Sequence, residues 1–349
     1  MTTHPFPSRS APVDAAAATA FVIFWSSGFV GARLGADHSG PDTLLAWRLG
    51  LAAIILLAWF AFRAHRAGQR QPSKAGETGG TAHHVLRPRV LAQHATVGIL
   101  AHALFLGGVF AGASAGVPTG TAALIAALQP LVVANVASVL LGQRISTMQR
   151  LALWLGVAGV GLVVADDLHV ASASWWAYLL PLGSMLALSA GTVLDRRWRP
   201  AGSTVEALTI HISAAALLVV GGTAVFGELA PPATPGFWWA VAWVTVLSGF
   251  GGYGAYFTVA RRRGATHVSI LLYLTPPTTL VWAWIMFGEG LALRGALGFA
   301  ICAAAVYMFT TGASRSSPAL ARRTPDARAR GGRARRGGRA RGGRTATLT

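Results

Sequence analysis

The sequence predicts an all-α integral membrane protein of ten transmembrane helices, arranged as two inverted five-helix repeats around a central cavity. Three observations lead to this fold class: the composition, a series of long apolar stretches, and landmarks that recur in the second half of the chain. Of the 349 residues, 53% are hydrophobic and 11% are charged, whereas a soluble domain has about 25% charged residues. We therefore do not expect a water-soluble enzyme. With one cysteine, Cys302, an intramolecular disulfide and a cysteine-based zinc site are excluded.

Long apolar stretches follow one another along most of the chain. A helix that crosses a bilayer needs roughly 20 mostly apolar residues, and ten stretches meet this requirement. They cover residues 15–36, 42–63, 91–112, 117–141, 148–165, 174–195, 204–226, 237–259, 265–287 and 292–312. The first stretch is interpreted as part of the fold rather than a cleaved signal peptide, because a similar segment recurs later in the chain.

The basic residues predict how the chain is oriented. The formal net charge is +18, and with ten spans nearly all basic residues fall on one side of the membrane. The exceptions are Arg33, Arg48 and Arg294. Cytoplasmic loops are enriched in Lys and Arg, so both the N-terminus (1–14) and the tail (313–349) are predicted to be cytoplasmic. The Arg/Gly-rich tail is expected to be disordered, and without aromatic residues it gives no support to a specific nucleic-acid partner.

The second half of the chain repeats landmarks of the first half in the same order. Residues 25–33 align with 188–196, and Leu128-Gln129-Pro130 aligns with Leu274-Thr275-Pro276. Because each copy contains an odd number of spans, the two copies must have opposite orientations in the membrane. Inverted repeats are typical of secondary transporters, whose substrate site lies near the membrane midplane. The predicted repeats cover residues 15–165 and 174–312.

The order of several short motifs resembles that of EamA-like exporters in the drug/metabolite transporter superfamily. The motifs are Trp25-Ser26-Ser27-Gly28, Leu45-Ala46-Trp47-Arg48, Gln129-Pro130-Leu131, Thr275-Pro276 and Phe287-Gly288-Glu289. The resemblance implies a ten-helix secondary transporter of the bacterial cytoplasmic (inner) membrane. Such a protein exports small metabolites, amino acids or drugs by alternating access. The chain departs from the family at Gly142-Gln143-Arg144, where family members often have Gly-Glu-Arg.

A second class of function, an integral-membrane enzyme or lipid-modifying protein, stays open at this stage. Such an enzyme would cluster carboxylates or histidines near one membrane interface, and in this sequence they are scattered. No zinc-protease, phosphate-loop or nucleophile-elbow motif occurs. We therefore predict no catalytic residue, no cofactor and no metal. The predicted partners are a small-molecule substrate and the lipid bilayer, with protons as a candidate coupling ion; the sequence does not determine the substrate or the oligomeric state.

Ionisable residues inside spans are costly and are candidate functional residues. Arg48 could face the cavity and attract a substrate carboxylate or a helix C-terminus, or it could extend to the outer lipid headgroups. His102 lies near the middle of span three, and His211 occupies the repeat position of Arg48. Each could carry a coupled proton or be a structural residue held by one hydrogen bond. His94, Gly98 and His102 recur every four residues, which predicts a narrow polar stripe on one helix face.

Prolines occur at matching depths in spans four and nine. Gln129 precedes Pro130, and Thr275 precedes Pro276 and Pro277. A proline removes a backbone hydrogen bond and bends the helix, and breaks at matching repeat positions indicate a binding site in transporters. The alternative is that these prolines only curve the helices around the cavity. We therefore treat Gln129 and Thr275 as cavity candidates.

Four aromatic residues complete the candidate cavity. Trp25, Tyr253, Tyr256 and Tyr273 lie within predicted spans, where their rings could gate the cavity or stack on a substrate. Aromatic residues of membrane proteins also pack between helices or anchor them at the interfaces, and the sequence leaves this alternative open.

Overall fold

The protein is helical throughout the part of the chain that the computed structural model describes, which comprises residues 11–70, 87–142, 145–170, 173–290 and 293–316. These residues form fourteen α-helices and no strand. In chain order the helices are α1 (Ala11–Ala36), α2 (Pro41–Arg70), α3 (Pro88–Gly98), α4 (Phe105–Ser114), α5 (Thr119–Ala126), α6 (Gln129–Leu140), α7 (Thr147–Val170), α8 (Leu179–Trp198), α9 (Thr204–Phe226), α10 (Pro235–Ala242), α11 (Gly252–Arg263), α12 (Ala265–Leu272), α13 (Thr275–Phe287) and α14 (Leu293–Ser316). Residues 1–10, Gln143, Arg144 and the tail beyond Ser316 lie outside the described residues.

Eight helical segments are long and apolar enough to cross a membrane. They are Pro12–Ala36, Pro41–Arg63, Pro88–Ser114, Thr119–Leu140, Thr147–His169, Trp175–Trp198, Thr204–Phe226 and Leu293–Thr311. Each agrees with one of the stretches that the sequence predicts. The helices α10 to α13 cover the predicted eighth and ninth spans but are not among these eight. The protein is therefore a helical, multi-pass membrane protein.

Two π-helical turns join consecutive α-helices. Residues Ile99–Leu104 join α3 to α4, and Trp243–Gly251 join α10 to α11. A π-helical turn inserts an extra residue into the hydrogen-bond ladder and often occurs at functional sites. Both turns contribute side chains to the central cavity described below, including His102 and Ser248.

Helix breaks occur directly before the prolines that the sequence singles out. Ala127 and Leu128 separate α5 from α6, and Tyr273 and Leu274 separate α12 from α13. Pro130 and Pro276 then occupy the first turn of the following helix, where a missing N–H costs no hydrogen bond. The breaks are thus at equivalent positions of the two predicted repeats.

Small residues allow some helices to approach closely, while large apolar residues cover the outside. Helix α14 packs along α7, where the Gly298 Cα faces the Gly159 backbone. Helix α9 packs along α2. Leu217 of α9 and Leu293 of α14 are 79% and 80% exposed. Exposed apolar side chains of this kind are what a lipid-facing surface requires.

Candidate functional site

A cavity of about 960 Å³ lies among the helices. This volume is at the upper end of the roughly 300–1,000 Å³ range of small-molecule sites. Residues from α1, α2, α3, α4, α6, α8, α9, α11, α12 and α14 line it, so both halves of the chain contribute. The candidates from the sequence that line the cavity are Trp25, Arg48, His102, Gln129, Pro130, His211, Tyr253, Tyr256 and Tyr273.

Three of the candidates do not line the cavity. Thr275 is 4% exposed, and its backbone carbonyl accepts a hydrogen bond from the Ser26 hydroxyl at 3.3 Å. Pro276 is buried in the first turn of α13, and Pro277 follows it. The structure thus brings Thr275 into contact with α1 instead of the cavity. Tyr273, which lies in the break between α12 and α13, lines the cavity instead.

Arg48 lies at the deep end of the cavity, inside the helix bundle. Its side chain is 6% exposed, and its Cζ lies 5.4 Å from the centroid of the Phe110 ring. The Nη1 atom is buried and has no hydrogen-bond partner among the described residues. The adjacent residue, Trp47, donates from Nε1 to the Leu229 carbonyl at 3.0 Å. Arg48 therefore does not reach the outer surface of the bundle, and no helix C-terminus accepts a hydrogen bond from its Nη1 atom.

Three histidines form a chain along one side of the cavity. His94 Nε2 lies 3.1 Å from the Ala201 carbonyl, and His94 Nδ1 lies 3.2 Å from His211 Nε2. The rings of His211 and His102 follow at a centroid distance of 6.0 Å. His102 Nδ1 then lies 3.1 Å from the Tyr253 hydroxyl. This histidine chain runs from the connection between α8 and α9 to the π-helical turn at mid-bundle.

The hydrogen bonds of this chain define the tautomers of two neutral histidines. A carbonyl oxygen only accepts, so the His94 Nε2 atom carries a proton and donates it to Ala201. In neutral His94 the Nδ1 atom then accepts, and the His211 Nε2 atom must donate. Both imidazoles can stay neutral in this arrangement.

Aromatic rings form the wall of the cavity next to α1. Trp25 lies 5.7 Å from Tyr253 in an edge-to-face arrangement and 6.1 Å from Tyr256 in a stacked one, measured between ring centroids. Phe21 packs behind Trp25 at 5.4 Å. Such contacts hold aromatic rings in defined orientations, so the wall is preorganised rather than adaptable.

The remaining candidates provide polar groups. Gln129 donates from Nε2 to the Thr192 hydroxyl at 3.1 Å, which links the break between α5 and α6 to α8. The hydroxyl of Tyr273 is buried and has no hydrogen-bond partner among the described residues. A bound molecule with a polar group could supply that partner.

Several lining residues were not candidates from the sequence. Phe105, Phe110 and Asp195 line the cavity, and no pattern distinguishes these phenylalanines from others in the spans. His94, which the sequence analysis places in a polar stripe with Gly98 and His102, also lines the cavity, and this stripe faces α9. The backbone of His211 lies directly against Gly98.

The end of the cavity next to Arg48 is closed by packing and hydrogen bonds. The Thr43 hydroxyl donates to the Glu228 carbonyl at 2.6 Å, and a core cluster that includes Phe29, Leu45 and Phe237 fills the space behind. At the other end the lining reaches the connection between α8 and α9, including Pro200 and residues 202–204. The cavity therefore extends from mid-bundle toward one face of the membrane protein.

Three carboxylates lie together at the face of the helix bundle where the cavity is closed, which is called the closed face below. They are therefore less scattered than the sequence suggests. Asp166, Asp167 and Glu289 line a second, small cavity of about 40 Å³. Asp166 accepts from the Gly295 N–H at 2.9 Å, Asp167 from the Thr121 hydroxyl at 2.6 Å, and Glu289 from Thr119. Residues far apart in sequence meet here because helices α5 and α14 both begin at this face.

Across the described ranges, no set of three or more His, Cys, Asp or Glu side chains is placed to hold a metal ion.

A large cavity between helices from both halves of the chain is typical of a membrane transporter. Comparisons with known proteins agree with this class. The profile of the EamA-like transporter family matches residues 15–165 and 175–311. The chain belongs to the EamA-like transporter family, as its motifs indicate.

Curated relatives are bacterial and plant proteins. The chain is 28% identical to a probable terminal-alkyne amino-acid exporter of Streptantibioticus cattleyicolor, over 80% of this chain and 88% of the relative. It is 24% identical to the uncharacterized inner membrane transporter YedA of Escherichia coli, over 84% of this chain and 89% of the relative. A chloroplastic WAT1-related protein of Arabidopsis thaliana is 24% identical over 82% of this chain and is longer, with 66% of its length covered.

A solved structure shares the fold. It superimposes with a TM-score of 0.57 at 18% sequence identity, covering 88% of this chain and 99% of the other. At this identity the similarity concerns the arrangement of the helices and not the substrate.

Proposed function

We propose that this transporter exports small metabolites, amino acids or drugs across the bacterial cytoplasmic membrane by alternating access between two inverted repeats. The proposed repeats are residues 15–165 and 174–312. When α3 is joined to α4, α5 to α6, α10 to α11, and α12 to α13, each repeat contains five segments. The observation that carries the proposal is the cavity of about 960 Å³, because both repeats line it at mid-bundle.

The distribution of charge supports an orientation with both termini in the cytoplasm. The cavity extends toward the connection after α8, which is preceded by Arg196, Arg197 and Arg199. Basic loops are typical of the cytoplasmic side. The structure then corresponds to an inward-facing state, in which a substrate enters from the cytoplasm before it is exported.

The opposite face supports the same interpretation because contacts between the repeats close it. Glu289 of the second repeat accepts hydrogen bonds from the N–H and hydroxyl of Thr119 at 2.9 and 3.0 Å. A carboxylate at a helix N-terminus is favourable because the helix dipole is positive there. These contacts have to break when the cavity opens outward.

Accessibility of single cysteines tests alternating access. Ala134→Cys places a thiol on the cavity wall, and Leu217→Cys places one on the 79% exposed outer surface, both in a Cys302→Ser background. We expect a membrane-impermeant maleimide to label Ala134→Cys from the cytoplasmic side and to leave Leu217→Cys unlabelled. A substrate gradient should move part of the Ala134→Cys labelling to the outer side. If labelling never occurs from outside under any condition, alternating access is wrong.

The histidine chain supports protons as the coupling ion. Groups that line the cavity near His211 are His94, His102, Asp195, Arg196, Arg48 and Tyr253. Of these, the histidines are hydrogen-bonded while neutral and lie between the inward-facing mouth and mid-bundle. Because an imidazole ring can both accept and donate a proton, we propose that a proton entering from outside passes along the histidine chain to the cytoplasm.

The proton proposal predicts a response to a pH gradient. In proteoliposomes with an acidic exterior, wild-type export of the best-transported compound of a broad panel should be faster than without the gradient. His211→Gln should transport without this acceleration, because Gln keeps a hydrogen-bond donor but cannot be protonated. His169→Gln, at an exposed position, is the matched control. Wild-type export that ignores the gradient would indicate facilitated diffusion.

An integral-membrane enzyme or lipid-modifying protein is the weaker alternative. The three carboxylates at the closed face would suit it, but the roughly 40 Å³ between them holds little more than one water. All three carboxylates also accept hydrogen bonds from protein groups. Transport without chemical change of the compound, measured by mass spectrometry on both sides of the vesicle, separates the two alternatives.

A further inference from the structure

Arg48 is a buried cation whose charge the described part of the protein does not neutralise. The side chain is 6% exposed, and its Nη1 atom has no partner. The ion pairs that the described residues form are Arg33 with Asp37, and both Arg262 and Arg263 with Asp14. An isolated buried charge is costly, and proteins normally pair it. The missing partner is the feature that requires an explanation.

Within the described ranges, several acidic residues have partners other than Arg48. Asp166, Asp167 and Glu289 accept hydrogen bonds at the closed face, and Glu206 caps α9. Asp195 is the carboxylate that lines the cavity, near the end of α8. It forms no ion pair with Arg48, since none within 4.0 Å is present among the described residues.

Arg48 lines the cavity, and its guanidinium packs against the Phe110 ring. Phe110, itself 1% exposed, lies 5.4 Å below the guanidinium and holds it by a cation–π contact. Such a contact stabilises a cation only in part, and a ring provides no hydrogen-bond acceptor to Nη1. A carboxylate in the cavity would provide both the charge and the acceptor, because the guanidinium matches its geometry.

We propose that Arg48 binds the carboxylate of the transported molecule, and that the substrates are small amphipathic carboxylates, either free acids or zwitterions. The inference rests on the proposed transport function and names its substrate class. The apolar part of such a molecule fits the wall formed by Trp25, Tyr253 and Tyr256. Asp195, toward the mouth, matches the ammonium group of a zwitterion in charge.

The test uses three probes that share a phenyl ring and differ in charge: 3-phenylpropionate, phenylalanine and phenethylamine. Equilibrium binding to the purified full-length protein is measured by scintillation proximity, and transport is measured separately in proteoliposomes. Wild type should bind the two carboxylates and should bind phenethylamine at least about tenfold more weakly, since a charge-assisted hydrogen bond is lost. Phenylalanine binding that exceeds 3-phenylpropionate binding would identify the zwitterion as the preferred form.

Two variants and one control assign the effect to Arg48. Arg48→Gln should weaken carboxylate binding about tenfold or more, and Arg48→Lys should retain part of the affinity because it keeps the charge without the planar fork. Arg63→Gln is the control. Arg63 also lies over an aromatic ring, Trp59 at 4.9 Å, but it is exposed at the far end of α2 and does not line the cavity.

A stability measurement separates binding from a structural role. Without ligand, Arg48→Gln should unfold at the same temperature as wild type or higher, because it removes an unpaired buried charge. A saturating carboxylate should raise the unfolding temperature of wild type and not that of Arg48→Gln. A structural arginine would instead give a lower unfolding temperature in the variant.

The outcomes distinguish this inference from the proposed transport function. If neither carboxylate binds, if phenethylamine binds as tightly as they do, or if Arg48→Gln binds them like wild type, the inference is overturned. If phenethylamine alone were transported, the inference would be overturned, and the proposed transport function would still stand. Carboxylate binding that depends on Arg48, without transport of any compound, would retain the site and contradict the export function.

Discussion

The contact between Gly98 and the backbone of His211 provides a sharp test of the cavity wall. Gly98 ends α3 directly before the π-helical turn, and His211 lies on α9. A Cβ atom at position 98 would meet the Cα of His211, with its carbonyl oxygen at 2.5 Å and its carbonyl carbon at 2.9 Å. Ordinary contacts between carbon atoms are about 3.5–4.0 Å. Gly98→Ala therefore has to push α3 and α9 apart by roughly 1 Å.

The expected free-energy change follows from two opposing effects. Overpacking a close backbone contact costs about 1–3 kcal/mol, while Ala in place of Gly stabilises a helix by about 0.5–1 kcal/mol. Gly98→Ala should therefore lower the free energy of unfolding by about 0.5–2 kcal/mol. Gly221→Ala is the control, because it lies on α9 and its Cβ would have no neighbour within 4 Å. That variant should be as stable as wild type or more stable.

The assay is equilibrium unfolding in detergent, followed by the fluorescence of the twelve tryptophans. A difference of about 1–3 kcal/mol between the two variants is expected. The separation of α3 from α9 should also lengthen the contact of 3.2 Å between His94 and His211, so Gly98→Ala should lose the response of export to a pH gradient. Equal stability of Gly98→Ala and Gly221→Ala would refute the close approach of these helices.

Two further predictions concern helix starts at opposite ends of the cavity. Glu289→Gln should weaken the cap on α5 at Thr119 by about 1 kcal/mol and increase labelling of the cavity from outside, whereas Glu228→Gln, whose side chain is exposed, should change neither. Outside labelling equal to wild type would contradict an outer closure at this contact. Ser203→Ala should lower the free energy of unfolding by about 1 kcal/mol, because Ser203 and Glu206 form a capping box at the start of α9. Ser203→Thr keeps the oxygen and should restore most of the stability, as unfolding measurements would reveal.

The membrane class and the family were predictable from the sequence because they depend on local and additive properties. A run of about 20 apolar residues is sufficient to indicate a span, and no knowledge of its neighbours is needed. The helix breaks before Pro130 and Pro276 were predictable for the same reason, since a proline ring excludes the preceding hydrogen bond wherever it lies. Their positions in the structure agree with the sequence in both halves.

The contribution of each polar residue to the cavity was predictable only in part. Arg33 and Arg48 both lie in the first two spans, but Arg33 pairs with Asp37 four residues away, while Arg48 is buried over Phe110. A local pairing of this kind follows from helical spacing. The environment of Arg48 depends on the Phe110 ring of another helix. The distance between the guanidinium and that ring cannot be obtained from the sequence. Thr275 illustrates the same point, because its proximity to Ser26 spans 249 positions of the chain.

The sequence by itself determined that the chain crosses a membrane, belongs to a transporter family and carries few ionisable groups in its spans. Hydrophobicity and motif order suffice for these conclusions, because each is a property of consecutive residues. Only the tertiary structure decided which of those groups meet. His94 and His211 lie 117 positions apart and form one hydrogen-bonded pair, whereas Arg48 is left with a free Nη1 atom at the deep end of the cavity. Packing between distant helices sets these distances, and through them it decides which of the described charged groups have a partner.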